Sequence, residues 1–304
     1  MIRRRLLASK YKIMLDSGAY TAWSKLQTID IDAYIAFIKE HHKWIDSVVN
    51  LDVIPGAYGR HPTPEETEVS AREGWKNLLY MESHGLKPIP VYHQGEDFKW
   101  LQKMIDHQCP YIGISPANDR TTKQKRIWLD EVFDQITNKE GKCIVKTHGF
   151  GVTSIPLLLR YPWFSADSTT WSKLAAYGSI MVPDYNKPYP DNLKAPFLVR
   201  VSMRSPDRFR QGQHFISYPQ EAKSSIIRYL ETINTRVTEA AEDYKVRLYV
   251  NAMFFQQLNA YSVSLLVDKK GVYRQGMVMI NSTRGRRTRI QLLPKKQRVV
   301  LNCM

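Results

Sequence analysis

The sequence predicts an α/β protein, a (β/α)8 TIM barrel with a basic C-terminal extension, on three observations. Short β-rich runs alternate with helical patterns through the first 175 residues, as parallel strands joined by crossover helices require. The position just after each run is polar, where barrel enzymes carry their chemistry. The chain has 304 residues, enough for one barrel and an appendage.

Six strands are expected at 12–15, 47–51, 88–92, 111–114, 143–146 and 163–166. The helix after the second strand has the clearest start. Thr63-Pro64-Glu65-Glu66 supplies an N-cap, a proline at the first helical position and the glutamate of a capping box, and Gly85 closes the helix. Helical periodicity also fits 31–41, 98–107 and 123–136. Beyond Tyr177 comes a proline-rich stretch, 183–196, and then a long helical pattern over 220–244. The two remaining barrel strands are expected at 197–201 and 246–250, so that 1–250 forms the barrel domain and 251–304 the extension.

Hydrophobic residues make up 43% and charged residues 24%, the balance of an ordinary folded chain rather than a disordered one. The net charge of +15 concentrates polyanions around the molecule, nucleic acid foremost. No apolar run approaches the length needed to span a bilayer, and Met1-Ile2-Arg3-Arg4-Arg5-Leu6-Leu7 is too short in apolar residues for a secretory leader. A cytoplasmic location without a membrane partner is therefore expected. Cys109, Cys143 and Cys303 are too few and too far apart for a disulfide framework or a cysteine-rich zinc site, so neither metal nor cofactor is expected.

At the expected strand ends stand Asp16-Ser17-Gly18-Ala19-Tyr20, Asp52, His93-Gln94-Gly95, Ser115, Thr147-His148-Gly149 and Asp167-Ser168. Three carboxylates from separate strands would meet at one mouth, where one can act as a nucleophile while another moves a proton. This suits cleavage of a glycosidic bond through a covalent sugar–enzyme intermediate. An aspartate at a strand end is also a common helix cap or turn former, and both readings stand at this point. His93 and His148 fit hydrogen-bonding roles better than metal ligation, since no cysteine or clustered carboxylate accompanies them. Tyr20, Trp23, Tyr92 and Trp171 are candidates for stacking on a flat base or for the core. Two basic groups, Arg200, Arg204, Arg208 and Arg210, and Arg284, Arg286, Arg287 and Arg289, suit phosphate contacts or a solvated surface.

The ordered set Asp16-Ser17-Gly18-Ala19-Tyr20, Asn50-Leu51-Asp52, Gln94-Gly95, Gly113-Ile114-Ser115, Gly149-Phe150-Gly151 and Asp167 resembles the guanine transglycosylases over residues 12–172. The resemblance implies a TIM barrel with Asp167 as nucleophile and Asp16 as the group that manages the proton on the exchanged base. Asp52, Gln94, Gly95, Gly113 and Ser115 would hold the heterocycle. The tRNA-acting members of that family carry a Cys-x-Cys-x-x-Cys plus His zinc site after the nucleophile. No cysteine lies between Asp167 and Gln297 here, so the chain more closely resembles the phage-type relatives that insert 7-deazaguanine bases into DNA. The expected partners are DNA and a 7-deazaguanine base, with a homo-oligomer or protein partner left open. The rivals are a tRNA-guanine transglycosylase without the zinc site, a non-catalytic nucleic-acid-binding subunit, and a hydrolase that releases the base to water.

Overall fold

In the computed structural model, residues 12–140, 142–205, 212–265, 278–283 and 300–303 are described. They separate into two compact units. The first holds the described residues up to Leu157, Tyr161–Asp167 and those from 278 onward; the second holds Leu158–Arg160 and the described residues between Ser168 and Leu265.

The first unit repeats a strand–helix pattern. Its strands and helices run β1 (Met14–Leu15), α1 (Ala19–Ser24), α2 (Ile31–His41), β2 (Ser47–Val49), α3 (Pro64–Ser83), β3 (Pro88–Ile89), β4 (Val91–His93), α4 (Phe98–Asp106), β5 (Tyr111–Ser115), α5 (Thr122–Gln135), β6 (Lys146–Gly149), the start of α6 (Ile155–Arg160), whose residues Leu158–Arg160 belong to the second unit, and β7 (Ser165–Asp167). Every strand pairing in it is parallel. One sheet has the order β1-β2-β3, and a second runs β4-β5-β6-β7 and continues into β10 (Val278–Thr283) and β11 (Val300–Cys303). β3 and β4 are separated in the chain only by Pro90, which has no N–H for a ladder.

Local signals account for the helix starts. Thr63 Oγ accepts from Glu66 N at 3.2 Å while Glu66 Oε2 accepts from Thr63 N at 2.9 Å, the expected capping box. A second box, Thr121 with Gln124, starts α5. Asp30 and Asp97 cap α2 and α4 through the backbone N–H groups of Asp32 and Ala33 and of Lys99. Met14, Val49, Ile89 and Val91 form one apolar cluster, and Leu15, Tyr34, Ile35, Ile38, Leu51 and Met81 another. Neighbouring strand residues thus face opposite ways, as a pleated strand covered on both sides demands.

The second unit holds α7 (Thr170–Ala176), β8 (Ser179–Val182), α8 (Asp191–Lys194), β9 (Phe197–Arg200), α9 (Gln220–Thr232), α10 (Val237–Glu242) and α11 (Tyr244–Leu265). Its core joins Ile180, Val182, Val199, Val201, Ile226, Tyr229, Leu230, Ile233 and Val250.

Both strands expected to complete the barrel are corrected here. Residues 197–200 pair antiparallel with β8, Val182 opposite Phe197, which a parallel barrel strand cannot do. Residues 246–250 lie inside α11, as does the expected domain boundary at 250. Val250, Phe254, Leu258 and Ser262 are all buried and recur every four residues, so the longer helical period overrides the five-residue β-rich run. The fifth strand lies three residues later than expected, with Cys143 bridging antiparallel to Thr137 instead. Residues 278–283 and 300–303, expected within a basic extension, are strands of the first unit.

Candidate active site

Asp16 follows β1 directly. Gly18 takes φ +77°, a left-handed backbone that suits glycine, and its N–H and that of Ser17 turn back onto the Asp16 carboxylate. Burial pushes the Asp16 carboxyl up from its ordinary value to about 7; the neighbouring charges of Asp52 and Asp167 push the same way and outweigh the two backbone N–H groups. Asp52 and Asp167 therefore both lie within electrostatic reach of Asp16.

Asp52 sits three residues beyond β2, in a loop fastened to α3. Asn50 Nδ2 donates to Gly74 O at 2.8 Å, and Asn77 Nδ2 to Leu51 O at 2.8 Å. Ser17 Oγ donates to Asp52 Oδ1 at 3.1 Å, and His93 Nε2 lies 2.9 Å from Oδ2. The other face of the His93 ring is held by Glu96, with Nδ1 to Oε1 at 2.8 Å. Burial alone would lower the His93 pKa, but Glu96 and Asp52 outweigh it and raise it to about 10.

Asp167 ends β7. Its Oδ1 accepts from Gly151 N at 2.9 Å and lies 3.6 Å from His148 Nε2. His148 Nδ1 lies 2.6 Å from Ser165 Oγ, which also hydrogen-bonds the Tyr111 hydroxyl. One wiring satisfies every group. Tyr111 donates to Ser165, Ser165 donates to Nδ1, and the Nε2 proton faces Asp167. Burial pushes Tyr111 well above the ordinary tyrosine range, which keeps it a donor.

The remaining expected base-binding residues cluster beside these. Gln94 Oε1 accepts from Ala117 N at 3.1 Å, and Gln94 N donates to Ser115 O at 3.0 Å. Gly95 turns the chain at φ +110°. A Cβ on Gly113 would stand 2.4 Å from Phe150 Cε2, so glycine there makes room for the Phe150 ring.

Two of the stacking candidates are core residues. Tyr92 is wholly buried, its ring 5.8 Å from Trp128 and its hydroxyl donating to Glu96 O; Trp171 is buried in the second unit. Tyr20 is 44% exposed and sits 5.6 Å from Trp23, which itself meets Tyr58 at 5.3 Å. Those rings remain available to a ligand. Arg200 is half-buried in β9 and Arg204 is exposed; Arg208, Arg210, Arg284, Arg286, Arg287 and Arg289 lie outside the described residues. Cys109 and Cys143 are buried free thiols. Among the described residues no helix is long and apolar enough to cross a membrane.

The sequence reading passed over Glu96, Ser17 as a ligand of Asp52, and the Tyr111–Ser165 pair. Glu96 was detectable as the third residue after His93 across a glycine turn, and Ser165 as the residue two before Asp167 on the same strand face. Comparison with protein-family models, with curated proteins and with solved structures finds no match for this chain.

Proposed function

We propose that the chain is a base-exchanging transglycosylase, a pentosyltransferase that replaces guanine in DNA with a 7-deazaguanine base through a covalent aspartyl–sugar intermediate. The observation that carries this reading is the convergence of Asp52 and Asp167 on Asp16, whose carboxyl is lifted to about 7 by burial and by the other two. A carboxyl group that holds its proton near neutrality, beside a second carboxyl group, allows the work of proton carrier and nucleophile to be divided.

In this reading the first unit is a closed (β/α)8 barrel. Supporting closure, β3 and β4 are separated in the chain only by Pro90, and β11 at the far edge of the longer sheet lies against β1. That gives eight staves, with β10 and β11 as the seventh and eighth. Asp16 follows the first and Asp167 ends the sixth.

Asp167, fixed by Gly151 N–H and His148, attacks the anomeric carbon of the target nucleotide. The bond to guanine breaks, and the Asp16 proton passes to the departing base. The incoming base gives a proton back to Asp16 and attacks the same carbon, releasing Asp167. Charge, proton and glycosyl bond balance over the two steps, and no energy source is consumed. Asp52 accepts from the donor edge of the base, Gln94 and the Gly95 and Ser115 backbone flank it, and Phe150 over Gly113 supplies apolar backing. A base without that donor edge would forgo its hydrogen bond to Asp52, which sets selectivity.

DNA rather than tRNA is favoured by the cysteine-free stretch after Asp167, and the net charge of +15 supports a polyanionic substrate. Arg200, Arg204 and the basic residues beyond them would contact phosphates, and the target base would be taken from single-stranded or locally opened DNA. The test is incorporation of radiolabelled guanine into DNA and, in parallel, into tRNA, with wild type and Asp167→Asn. Label entering DNA only with wild type is expected. Entry into tRNA alone would assign the tRNA activity, and entry into neither would leave a binding subunit.

A further inference from the structure

Both ring nitrogens of His93 face a carboxylate, Nε2 to Asp52 Oδ2 at 2.9 Å and Nδ1 to Glu96 Oε1 at 2.8 Å. A neutral imidazole has one N–H and one lone pair. Between two ionised carboxylates, one contact would then set lone pair against lone pair; a ring protonated on both nitrogens donates to both.

We infer that Glu96 is a positioning residue, whose carboxylate keeps His93 protonated on both nitrogens so that Asp52 is held as a fixed, acceptor-only carboxylate for the base. The inference rests on the transglycosylase reading for its consequence in catalysis; the protonation state of the ring does not depend on that reading.

Three features of the surroundings support it. Glu96 is anchored at both ends of its turn, since Glu96 N donates to His93 O at 3.1 Å and Tyr92 Oη donates to Glu96 O at 2.9 Å. The Glu96 side chain is 2% exposed and that of His93 9%, so water does not dilute the pairing. Behind them lies a cavity of about 10 Å³, walled by Ser70, Gly74 and Trp75 of α3 and Met104 of α4, none of which brings a charge. Glu96 Oε2 and Asn50 Oδ1 are buried acceptors lining it, without a hydrogen-bond partner among the described residues. The space suits one water, a donor to such groups. The charged groups that face His93 are thus Asp52 from the loop after β2 and Glu96 from the turn after β4; the raised proton affinity of the ring agrees with this count.

The consequence is a chain of command from a residue that never touches the base. With Glu96→Gln, the glutamine amide donates to Nδ1, the ring needs only the Nε2 proton, and Asp52 loses its cationic partner. Asp52 keeps its place through Ser17 but accepts one weaker hydrogen bond. The effect is expected on the base-binding side of the reaction.

The test is nitrogen-15 NMR of the full-length protein with labelled histidine, from pH 6 to 9, with the His93 signals assigned by their loss in His93→Gln. Both ring nitrogens are expected to carry protons in wild type through pH 8, and in Glu96→Gln the ring is expected to turn neutral near or below pH 7. Glu96→Asp should restore part of the protonated population. In the exchange assay, KM for free guanine should rise about tenfold in Glu96→Gln with a smaller change in kcat. A neutral His93 in wild type at pH 7, or a ring that stays protonated in Glu96→Gln, overturns the inference. If wild type exchanges no base, the functional reading falls, and the spectra still decide the histidine assignment.

Discussion

A buried polar side chain can serve the backbone, as Asn251 does in the second unit, or other side chains, as His93 does in the first. In the second, Asn251 is wholly buried and serves three backbone groups, accepting from Met181 N at 2.7 Å and donating to Trp171 O at 2.9 Å and Ser179 O at 3.3 Å. Arg247 likewise gives its guanidinium to Ala175 O, Ala240 O and Ala241 O. In the first unit, Asp52, His93, Glu96, His148 and Ser165 hydrogen-bond other side chains. A buried side chain spent on backbone satisfies what the fold must satisfy anyway. Buried side chains spent on each other form a network that the fold could dispense with, and that is where chemistry should be sought.

The comparison breaks most sharply at Asp167. Replacing it with Asn should lower base exchange by about a thousandfold or more and leave the thermal midpoint near that of wild type. Next, Asp16→Asn should cost about 10²- to 10⁴-fold in exchange while stabilising the protein at high pH. Because the folded carboxyl titrates near 7 instead of its ordinary value, the folded state holds that proton more tightly than the unfolded one. The resulting stability is complete in acid and is lost as pH rises through 7. Asp16→Asn should therefore match wild type near pH 4 and exceed it by on the order of 2–4 kcal/mol at pH 8, read from urea titrations at the two pH values.

The same titration should split the half-reactions. Guanine release needs the proton on Asp16 and should fall above about pH 7, whereas capture of the incoming base needs the ionised form and should rise through about 7. Rapid-quench measurement of each step separately checks the opposite slopes.

The structural side of the comparison predicts losses of stability. Asn251→Ala strands three buried backbone groups and should cost about 2–4 kcal/mol. Gly113→Ala forces the Phe150 ring aside and should cost about 1–3 kcal/mol. Both are read from denaturant midpoints.

What the sequence made legible follows the same division. The helix with a capping signal at Thr63 was readable to within a residue or two, as was the one over 31–41 from its apolar period, because both signals are local. The strand-end aspartates were readable as candidates, and the competing role as helix caps goes to Asp30 and Asp97 instead. The strands at 278–283 and 300–303 were not foreseen because they are short apolar runs among arginines and lysines, while 246–250 looks like a strand until the period is followed to Leu258. Glu96 escaped notice because its role depends on a ring between it and Asp52, two residues 44 positions apart in the chain. Such a long-range pairing leaves no periodic trace.

The most direct measurement is the covalent intermediate itself. Wild-type protein incubated with guanine-containing single-stranded DNA, without added base, should give a protein–DNA adduct on a denaturing gel. Mass spectrometry should map it to the peptide carrying Asp167, and added guanine should discharge it. An adduct at another residue, or one that forms undiminished in Asp167→Asn, would contradict the account, as would base exchange by wild type through no adduct at all.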